Sequence, residues 1–551
     1  MSAPENHDLV LTGGEALVRG LEAHGVTAVF GLPGAQIYGL FDALHRAQPG
    51  IRTYGARHEQ GCGYMAFGYA RSTGRPAVFS VVPGPGMLNA SAALLTALGG
   101  NERVLLLTGQ TPRRFLDKGR GHLHEMPNQL ATMRGFVKWA ERIEHPGLAP
   151  GLVARAFQEM ASGRPGPAAL EMPWDVFTQR VPVPDVAPLA PLPPPPPDPD
   201  EAGRIAGLIA EARAPMIFVG SGAIHAAAEI RALAELIEAP VVGFRSGRGI
   251  VSEDHPLGMT IAPAYALWGE CDLAIGIGSR MEGPGWRWPY QPKGLKTVRI
   301  DIDPVEMRRV PAGAAMVADA AAGTRAVLDA LRRRNAKGSG RGDAIAAAKA
   351  KTARDIQAIQ PQMEYLEVLR DVLPRDAIVT DELSQVGFAS WFGFPVYAPR
   401  TFISSGCQGT LGSGFPTALG VKVAHPDKPV VAITGDGGFM FCVEELSTAV
   451  QYGIGVVTLV FNNRSYGNVR RDQMQGFGGR VIAADLVNPD FVKLADAFGV
   501  AGARVASPAA LKPVLERALA DGKPWLIEVE IPVGSETSPW RFIHPPKPEG
   551  M

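Results

Sequence analysis

The sequence has little cysteine, no excess of either charge and no apolar run of membrane-spanning length. Its four cysteines, Cys62, Cys271, Cys407 and Cys442, are far apart. That spacing fits neither a disulfide framework nor a cysteine metal site, so a reduced compartment is expected. Lys plus Arg and Asp plus Glu both number 54, a formal net charge of zero. Nothing in that balance asks for a polyanionic partner such as nucleic acid. No stretch approaches the roughly 20 apolar residues of a membrane-spanning helix. The opening MSAPENHDL lacks the basic and apolar regions of a signal peptide. A cytoplasmic protein with neither nucleic-acid nor membrane partners is expected.

What is present is an enzyme-like composition, 46% hydrophobic and 20% charged over 551 residues, enough for about three domains. Short apolar runs alternate with helical patterns throughout, which predicts parallel-sheet α/β domains. The first domain spans 1–178. Residues 9–25 have helical spacing (Ala16, Leu17, Leu21). A strand at Val26–Phe30 then runs into a glycine-rich turn at Gly31–Gly34 and a helix. A second strand leads to Arg57-His58-Glu59-Gln60, followed by a helix rich in small residues. Residues 179–200, containing PLAPLPPPPPDPD, read as a stiff proline-rich linker. A central domain spans 201–335, where Asp301 and Asp303 suit either a turn cap or a nucleotide. A third domain with a C-terminal tail spans 355–551.

The third domain carries the strongest motif. VVAIT reads as a buried strand ending at Thr434, followed by Gly435-Asp436-Gly437-Gly438 and a helical pattern through Glu444, Leu446, Ala449 and Val450. VVTLVF reads as the next strand, ending at Asn462-Asn463. A carboxylate and a carboxamide thus stand at the C-terminal ends of two strands, the ligand-binding edge of an open parallel sheet. Asp, Asn and a backbone carbonyl are hard oxygen ligands suited to Mg²⁺, with a diphosphate completing its shell. The glycines let backbone approach phosphate closely.

These residues resemble the thiamine-diphosphate enzymes of the acetolactate synthase, pyruvate oxidase and benzaldehyde lyase group. The resemblance covers nearly the whole chain and rests on GDG…NN at 435–463 together with RHEQGCGYMAFGYAR at 57–71. It implies three α/β domains (pyrimidine-binding, central, diphosphate-binding) and a dimer or tetramer with cofactor sites between subunits. It implies that Asp436, Asn463 and the carbonyl of Ser465 bind Mg²⁺. Ser384 and Gln385 would lie near the diphosphate, with Gly409, Tyr466 and Gly467 in the same pocket. Leu411 matches the bulky apolar residue that bends the cofactor. Glu59 would hydrogen-bond the pyrimidine ring, and a carboxylate in such a small-residue pocket can exchange a proton with it. The expected chemistry is formation or cleavage of C–C bonds of 2-oxoacids, 2-hydroxyketones or aldehydes through a ylid and an enamine.

On the substrate side, Gly34, Ala35 and Gln36 in GLPGAQI would sit over the thiazolium. Gln36, Gln110 and His124 are candidate catalytic residues, His124 as a proton carrier and Gln110 alternatively as a loop brace. The sequence leaves the synthase pattern after NN. Synthases have methionine and tryptophan at the acceptor site, where this chain has Asn468 and Asp472. Pro173-Trp174-Asp175-Val176 replaces the synthases' PKDV, as in benzaldehyde lyase. Arg470 or Arg471 could instead meet a substrate carboxylate. The central domain resembles the FAD-holding domain of synthases but is shorter around 255–272, so FAD is expected to be absent or without function. Arg245, Arg248 and Arg280 suit an anionic ligand or, alternatively, ion pairs. A 2-hydroxyacyl-CoA lyase or oxalyl-CoA decarboxylase is the alternative enzyme. A non-catalytic cofactor-binding relative would be expected to lack Glu59 or Asp436, and both are present. A nicotinamide dehydrogenase would need a clean GxGxxG, which the first unit lacks.

Overall fold

A computed structural model describes residues 9–548. The first eight residues, on which most of the signal-peptide reading rests, and the last three of the tail lie outside the described residues. Three six-stranded sheets, parallel throughout, account for nearly all the strands. Their strands are short, and the inner ones are buried on both faces. Val104–Gln110 and Leu273–Ile277 have every residue buried, as a sheet covered on two sides requires. No helix among the described residues is long and apolar enough to cross a membrane.

The first sheet comprises Ala28–Gly31, Arg52–Gly55, Ala77–Val81, Val104–Gln110, Trp139–Arg142 and Ala168–Pro173. Numbered along the chain, its spatial order is 2-1-3-4-6-5. The third sheet comprises Ile378–Asp381, Phe402–Ile403, Val430–Gly435, Val457–Asn462, Ala501–Val505 and Trp525–Glu530, and has the same order. The central sheet, from Pro215–Val219 to Ala314–Val317, is ordered 3-2-1-4-5-6. In doubly wound sheets ligands bind where the winding reverses, beyond the carboxyl ends of the strands. In the first and third sheets that point lies between strands 1 and 3. There the first sheet presents Leu32–Gln36 and Val82–Gly84, and the third presents Glu382–Gln385 and Asp436.

The chain divides into two units. One comprises residues up to Pro193 with Pro416–Pro426 and Cys442–Ile454; the other comprises the remainder. Each of the three sheets has its own hydrophobic core. In the first unit, Tyr452 Oη accepts from the Gly55 amide at 2.8 Å. Gly68 and Gly420 sit against backbone: a Cβ would lie 2.1 Å from the Thr417 carbonyl oxygen and 1.9 Å from the Met65 carbonyl oxygen, respectively.

Three local expectations change. Residues 9–12 form a strand, not the start of a helix, because Leu9–Thr12 pairs antiparallel with Arg180–Val183. The helix follows at Gly13–Ala23 with a Thr12–Glu15 capping box. The helical pattern after Asp436 is broken into Asp436–Phe439, a 3₁₀ turn at Val443–Glu445, and Leu446–Tyr452. Within the proline-rich stretch, Arg180–Val183 is that pairing strand. The tract beyond is held by Gln158 Nε2 donating to the Ala190 carbonyl (2.7 Å) and the Leu192 amide donating to Ser162 Oγ (2.9 Å).

Candidate active site

At the third sheet, part of the expected metal and diphosphate set lines a cavity of about 210 Å³, whose lining does not include Asp436, Ser384 or Tyr466. Its lining includes Gln385, Asn463, Ser465, Gly467, Arg471 and Glu536. Gln385 opens the helix Gln385–Gly393 and Gly467 opens Gly467–Gly476, so the first residues of two helices line the cavity. Ser384 caps the former, its Oγ accepting from the Gly387 amide at 3.0 Å.

Asp436 is 2% exposed, and burial raises its carboxyl above the ordinary range while Asn488 Nδ2, donating at 2.6 Å, opposes the rise. Asn463 Oδ1 accepts from the amide and the hydroxyl of Ser465, both at 3.1 Å, and its Nδ2 donates to Glu536 Oε2 at 2.6 Å. The neighbouring Asn462 is structural. Its Nδ2 donates to Glu528 at 2.7 Å, and its Oδ1 accepts from Asn488 at 2.9 Å.

Close packing explains the glycines. A Cβ on Gly438 would lie 2.0 Å from Glu382 Oε1, one on Gly437 2.4 Å from the Tyr466 ring, and one on Gly467 2.8 Å from Asn463 Nδ2. Glu382, 1% exposed, ties three loops together. It accepts from the amides of Gly412 (2.6 Å) and Gly414 (3.2 Å) and from Thr434 Oγ1 (2.8 Å). It therefore fixes the loop of Gly409 and Leu411 beside Gly435-Asp436. Burial pushes its carboxyl from 4.5 up to about 7.

The first sheet gathers the other candidates. Glu59 opens the helix Glu59–Thr73, capped by His58, whose Nδ1 accepts from the Gln60 amide at 3.1 Å. Glu59 is half-buried and accepts from Asn89 Nδ2 at 3.0 Å. The turn before it is held by Glu445, which is fully buried and accepts from the amides of Arg57 (3.1 Å) and His58 (3.0 Å). Gly61 leaves room for that carboxylate; a Cβ there would lie 2.2 Å from Glu445 Oε1.

Gln36 and His124 meet. Gln36 Nε2 donates to the Leu123 carbonyl, which turns its Oε1 toward His124 Nδ1 at 2.8 Å. That oxygen can only accept, so Nδ1 carries a proton and Nε2 is the ring nitrogen left to exchange one. Both residues have left-handed backbone, φ 71° and 61°, and Gly34 packs on Val82. Such strain in non-glycine residues is often found at functional sites. Gln110, expected among the catalytic residues, has its amide engaged elsewhere. Its Nε2 faces Glu171 (3.4 Å) and its Oε1 accepts from the Thr111 amide (2.7 Å). Glu171 also accepts from Arg142 and Gln129, so Gln110 braces a buried network.

The central-domain arginines are largely consumed. Arg245 pairs with Glu282 and donates to the Gly406 carbonyl, while Arg248 pairs with Glu253 (2.7 Å) and donates to the Ser390 and Phe394 carbonyls. Arg280 is half-buried near Glu306. Asp301 and Asp303 cap their own turn, accepting from the amides of Asp303 and Val305.

The donor set at Asp436 and Asn463 is oxygen and amide, and no cluster of three His, Cys, Asp or Glu that could hold a metal exists among the described residues. A hard cation carried in with a diphosphate suits such a set, and the glycine cradle leaves room for phosphate.

Comparison with known proteins decides the family. The C-terminal TPP-binding domain model of thiamine pyrophosphate enzymes matches residues 384–529, the N-terminal TPP-binding domain model 11–132, and the central domain model 202–331. The chain belongs to the thiamine pyrophosphate enzymes. It is 33% identical to the probable 2-ketoarginine decarboxylase of Pseudomonas aeruginosa, over 90% of each chain. It is 34% identical to the probable acetolactate synthase large subunit of Methanocaldococcus jannaschii, over 95% of this chain and 92% of that one. Acetolactate synthase isozyme 3 large subunit of Escherichia coli is 31% identical over 93% and 92%. This thiamine pyrophosphate enzyme uses thiamine diphosphate and Mg²⁺ to make or break C–C bonds, with chemistry of the acetolactate synthase type.

Sequence reasoning missed Glu382, Glu445, Asn488 and Glu536. Glutamate is usually an exposed residue, and a lone one in a sequence gives no sign that it is buried. The crowded glycines Gly61 and Gly438 were the available hint.

Proposed function

We propose that this thiamine pyrophosphate enzyme acts on 2-oxoacids, and that Arg471 receives the substrate carboxylate. The observation that carries this is the placement of Arg471 in the cavity wall with Asn463, Ser465 and Gly467. The Arg471 side chain is 19% exposed, and its guanidinium is held by Asn468 Oδ1 (2.6 Å), Ser538 Oγ (2.6 Å) and, through Nη2 and Nε, the exposed Asp472 (2.8 and 3.2 Å). Two of those partners are neutral, and the one carboxylate among them, Asp472, is 59% exposed and can give way to a substrate carboxylate that the planar fork matches. Arg470 also lines the cavity, and each arginine gives its Nε to a carboxylate, Asp485 at 2.7 Å and Asp472 at 3.2 Å, so Arg471 is preferred for its deeper burial, 19% exposed against 31%. Support also comes from relatives: one is named for a 2-oxoacid, 2-ketoarginine, and others for acetolactate.

Asp436, Asn463 and the Ser465 carbonyl hold Mg²⁺ and, through it, the diphosphate. Ser384, Gln385, Gly435, Gly437, Gly438, Tyr466 and Gly467 shape that pocket, while Gly409 and Leu411 form its glycine-rich wall. Bound thiamine diphosphate supplies the carbon nucleophile and the sink for the electron pair released from the substrate. Glu59 exchanges a proton with the cofactor ring. Gln36 holds His124 so that Nε2 gives or takes the proton at the substrate oxygen, and Gly34 and Ala35 keep that loop close. Each cofactor is shared by two copies of the chain, Glu59 from one and Asp436 with Asn463 from the other, in a dimer or tetramer.

The test is a mass-spectrometric product screen with thiamine diphosphate and Mg²⁺. Pyruvate, longer 2-oxoacids, hydroxyketones and 2-hydroxyacyl-CoA are supplied separately and with aldehydes. CO₂ release from a 2-oxoacid is expected, and Arg471→Ala should raise KM for it about tenfold or more while sparing uncharged hydroxyketones. Cleavage of an acyl-CoA without CO₂ release from any 2-oxoacid would overturn the proposal.

A further inference from the structure

We infer that Glu536 is a positioning residue for the metal site: it fixes which end of the Asn463 carboxamide faces Mg²⁺. The inference rests on the reading of Asp436 and Asn463 as metal ligands. A carboxamide presents oxygen on one side and NH₂ on the other, and only the oxygen can ligate a cation. The two ends are nearly equal in shape, so hydrogen-bond partners must choose between them. Here the choice is made twice. The Ser465 amide and hydroxyl donate to Asn463 Oδ1, and Glu536 Oε2 accepts from Nδ2 at 2.6 Å. Turning the amide over would set its oxygen against the Glu536 carboxylate and its NH₂ against the Ser465 amide N–H.

Glu536 can do this because the residues that follow it are pinned. It follows the last strand, Trp525–Glu530, in a stretch without regular structure. The Thr537 amide donates to the Gln360 carbonyl at 2.9 Å, and Gln362 Nε2 donates to the Thr537 carbonyl at 2.7 Å. Ser538 accepts from Arg471 Nη1 at 2.6 Å, and the Trp540 indole donates to Asn468. Glu536, Ser538 and Trp540 alternate along the segment, each on a different residue of the stretch from Asn463 to Arg471. Glu536 also lines the cavity, so its acceptor is delivered from the C-terminal segment to the metal-ligand amide. Partners of metal ligands that fix their orientation commonly contribute ten- to hundredfold in metal affinity.

The test is calorimetric titration of Mg²⁺ into the full chain at saturating thiamine diphosphate, with thermal melting as the check on folding. Glu536→Ala should weaken Mg²⁺ about ten- to hundredfold. Glu536→Gln, neutral but able to turn its carbonyl toward Asn463, should stay within about threefold of wild type. If the alanine variant melts early, Glu536→Asp, which withdraws the acceptor by one methylene, should show the same loss as expected for alanine. Wild-type affinity in a folded Glu536→Ala or Glu536→Asp variant would overturn the inference. So would an equal loss in Glu536→Gln, since the effect would then be charge rather than orientation. Asp436→Ala separates the two levels. If it abolishes Mg²⁺ binding while Glu536→Ala does not weaken it, the metal site stands and the role of Glu536 falls. If Asp436→Ala binds Mg²⁺ as wild type does, the site reading falls and this inference with it.

Discussion

The first and third sheets share the strand order 2-1-3-4-6-5, and each braces its functional loop with a buried glutamate. In the first unit Glu445 accepts from the amides of Arg57 and His58 and from Thr448 Oγ1. In the second, Glu382 accepts from the amides of Gly412 and Gly414 and from Thr434 Oγ1. In each, a motif glycine leaves room for the carboxylate: Gly61 and Gly438. The difference lies in what is presented. Asp436 is buried and bonded to Asn488, and Asn463 is held at both ends of its amide. Glu59 is half-buried and accepts from Asn89. A metal and diphosphate need a rigid set of ligands, whereas a carboxylate that exchanges a proton needs an open face.

The largest expected effect comes from removing that open carboxylate. Glu59→Gln keeps shape and the contact to Asn89 but cannot exchange the proton. Hydrogen–deuterium exchange at C2 of bound thiamine diphosphate should slow by about 10²- to 10⁴-fold, with cofactor affinity changed little. Unchanged exchange would remove Glu59 from the chemistry.

Smaller effects test the shared brace. Gly61→Ala and Gly438→Ala each drive a methyl into a buried carboxylate, with contacts of 2.2 and 2.0 Å. Each should cost about 1–3 kcal/mol by chemical denaturation. Gly438→Ala should also weaken thiamine diphosphate, whereas Gly61→Ala should mainly slow C2 exchange. Equal effects on both readouts would erase the distinction between the two halves.

The smallest effect is a pH dependence. Burial raises Glu382 from 4.5 to about 7, so the folded chain holds a proton that the unfolded chain releases. The group's contribution to stability is therefore fully present below about 4.5 and is lost as pH rises to about 7. Asp381, raised from 3.8 to about 6, acts in the same direction. In cofactor-free protein, Glu382→Gln should flatten the fall in melting temperature across that window. A slope unchanged by the substitution would show that Glu382 does not titrate there.

Much of this was legible in the sequence because it is local. The buried strands announce themselves as unbroken apolar runs. The motif around Asp436 and Asn463 combines glycine with oxygen donors at strand ends. What the sequence could not show depends on partners far along the chain. Residues 9–12 become a strand only because Arg180–Val183 lies alongside. Gln110 faces Glu171, 61 residues further on, and Arg245 and Arg248 pair with Glu282 and Glu253. Glu536 reaches Asn463 across 73 residues. Side chains recruited over such distances leave no periodic trace.

The central claim is that the two halves divide one cofactor between copies of the chain. The direct measurement is activity of Glu59→Gln and Asp436→Ala, each alone and then co-expressed in equal amounts. Each variant alone should be inactive. In a two-fold dimer, half of the co-expressed dimers are mixed and each mixed dimer holds one intact site, so about a quarter of wild-type activity should return. Co-expressed protein that forms mixed dimers yet stays as inactive as either variant would contradict the account.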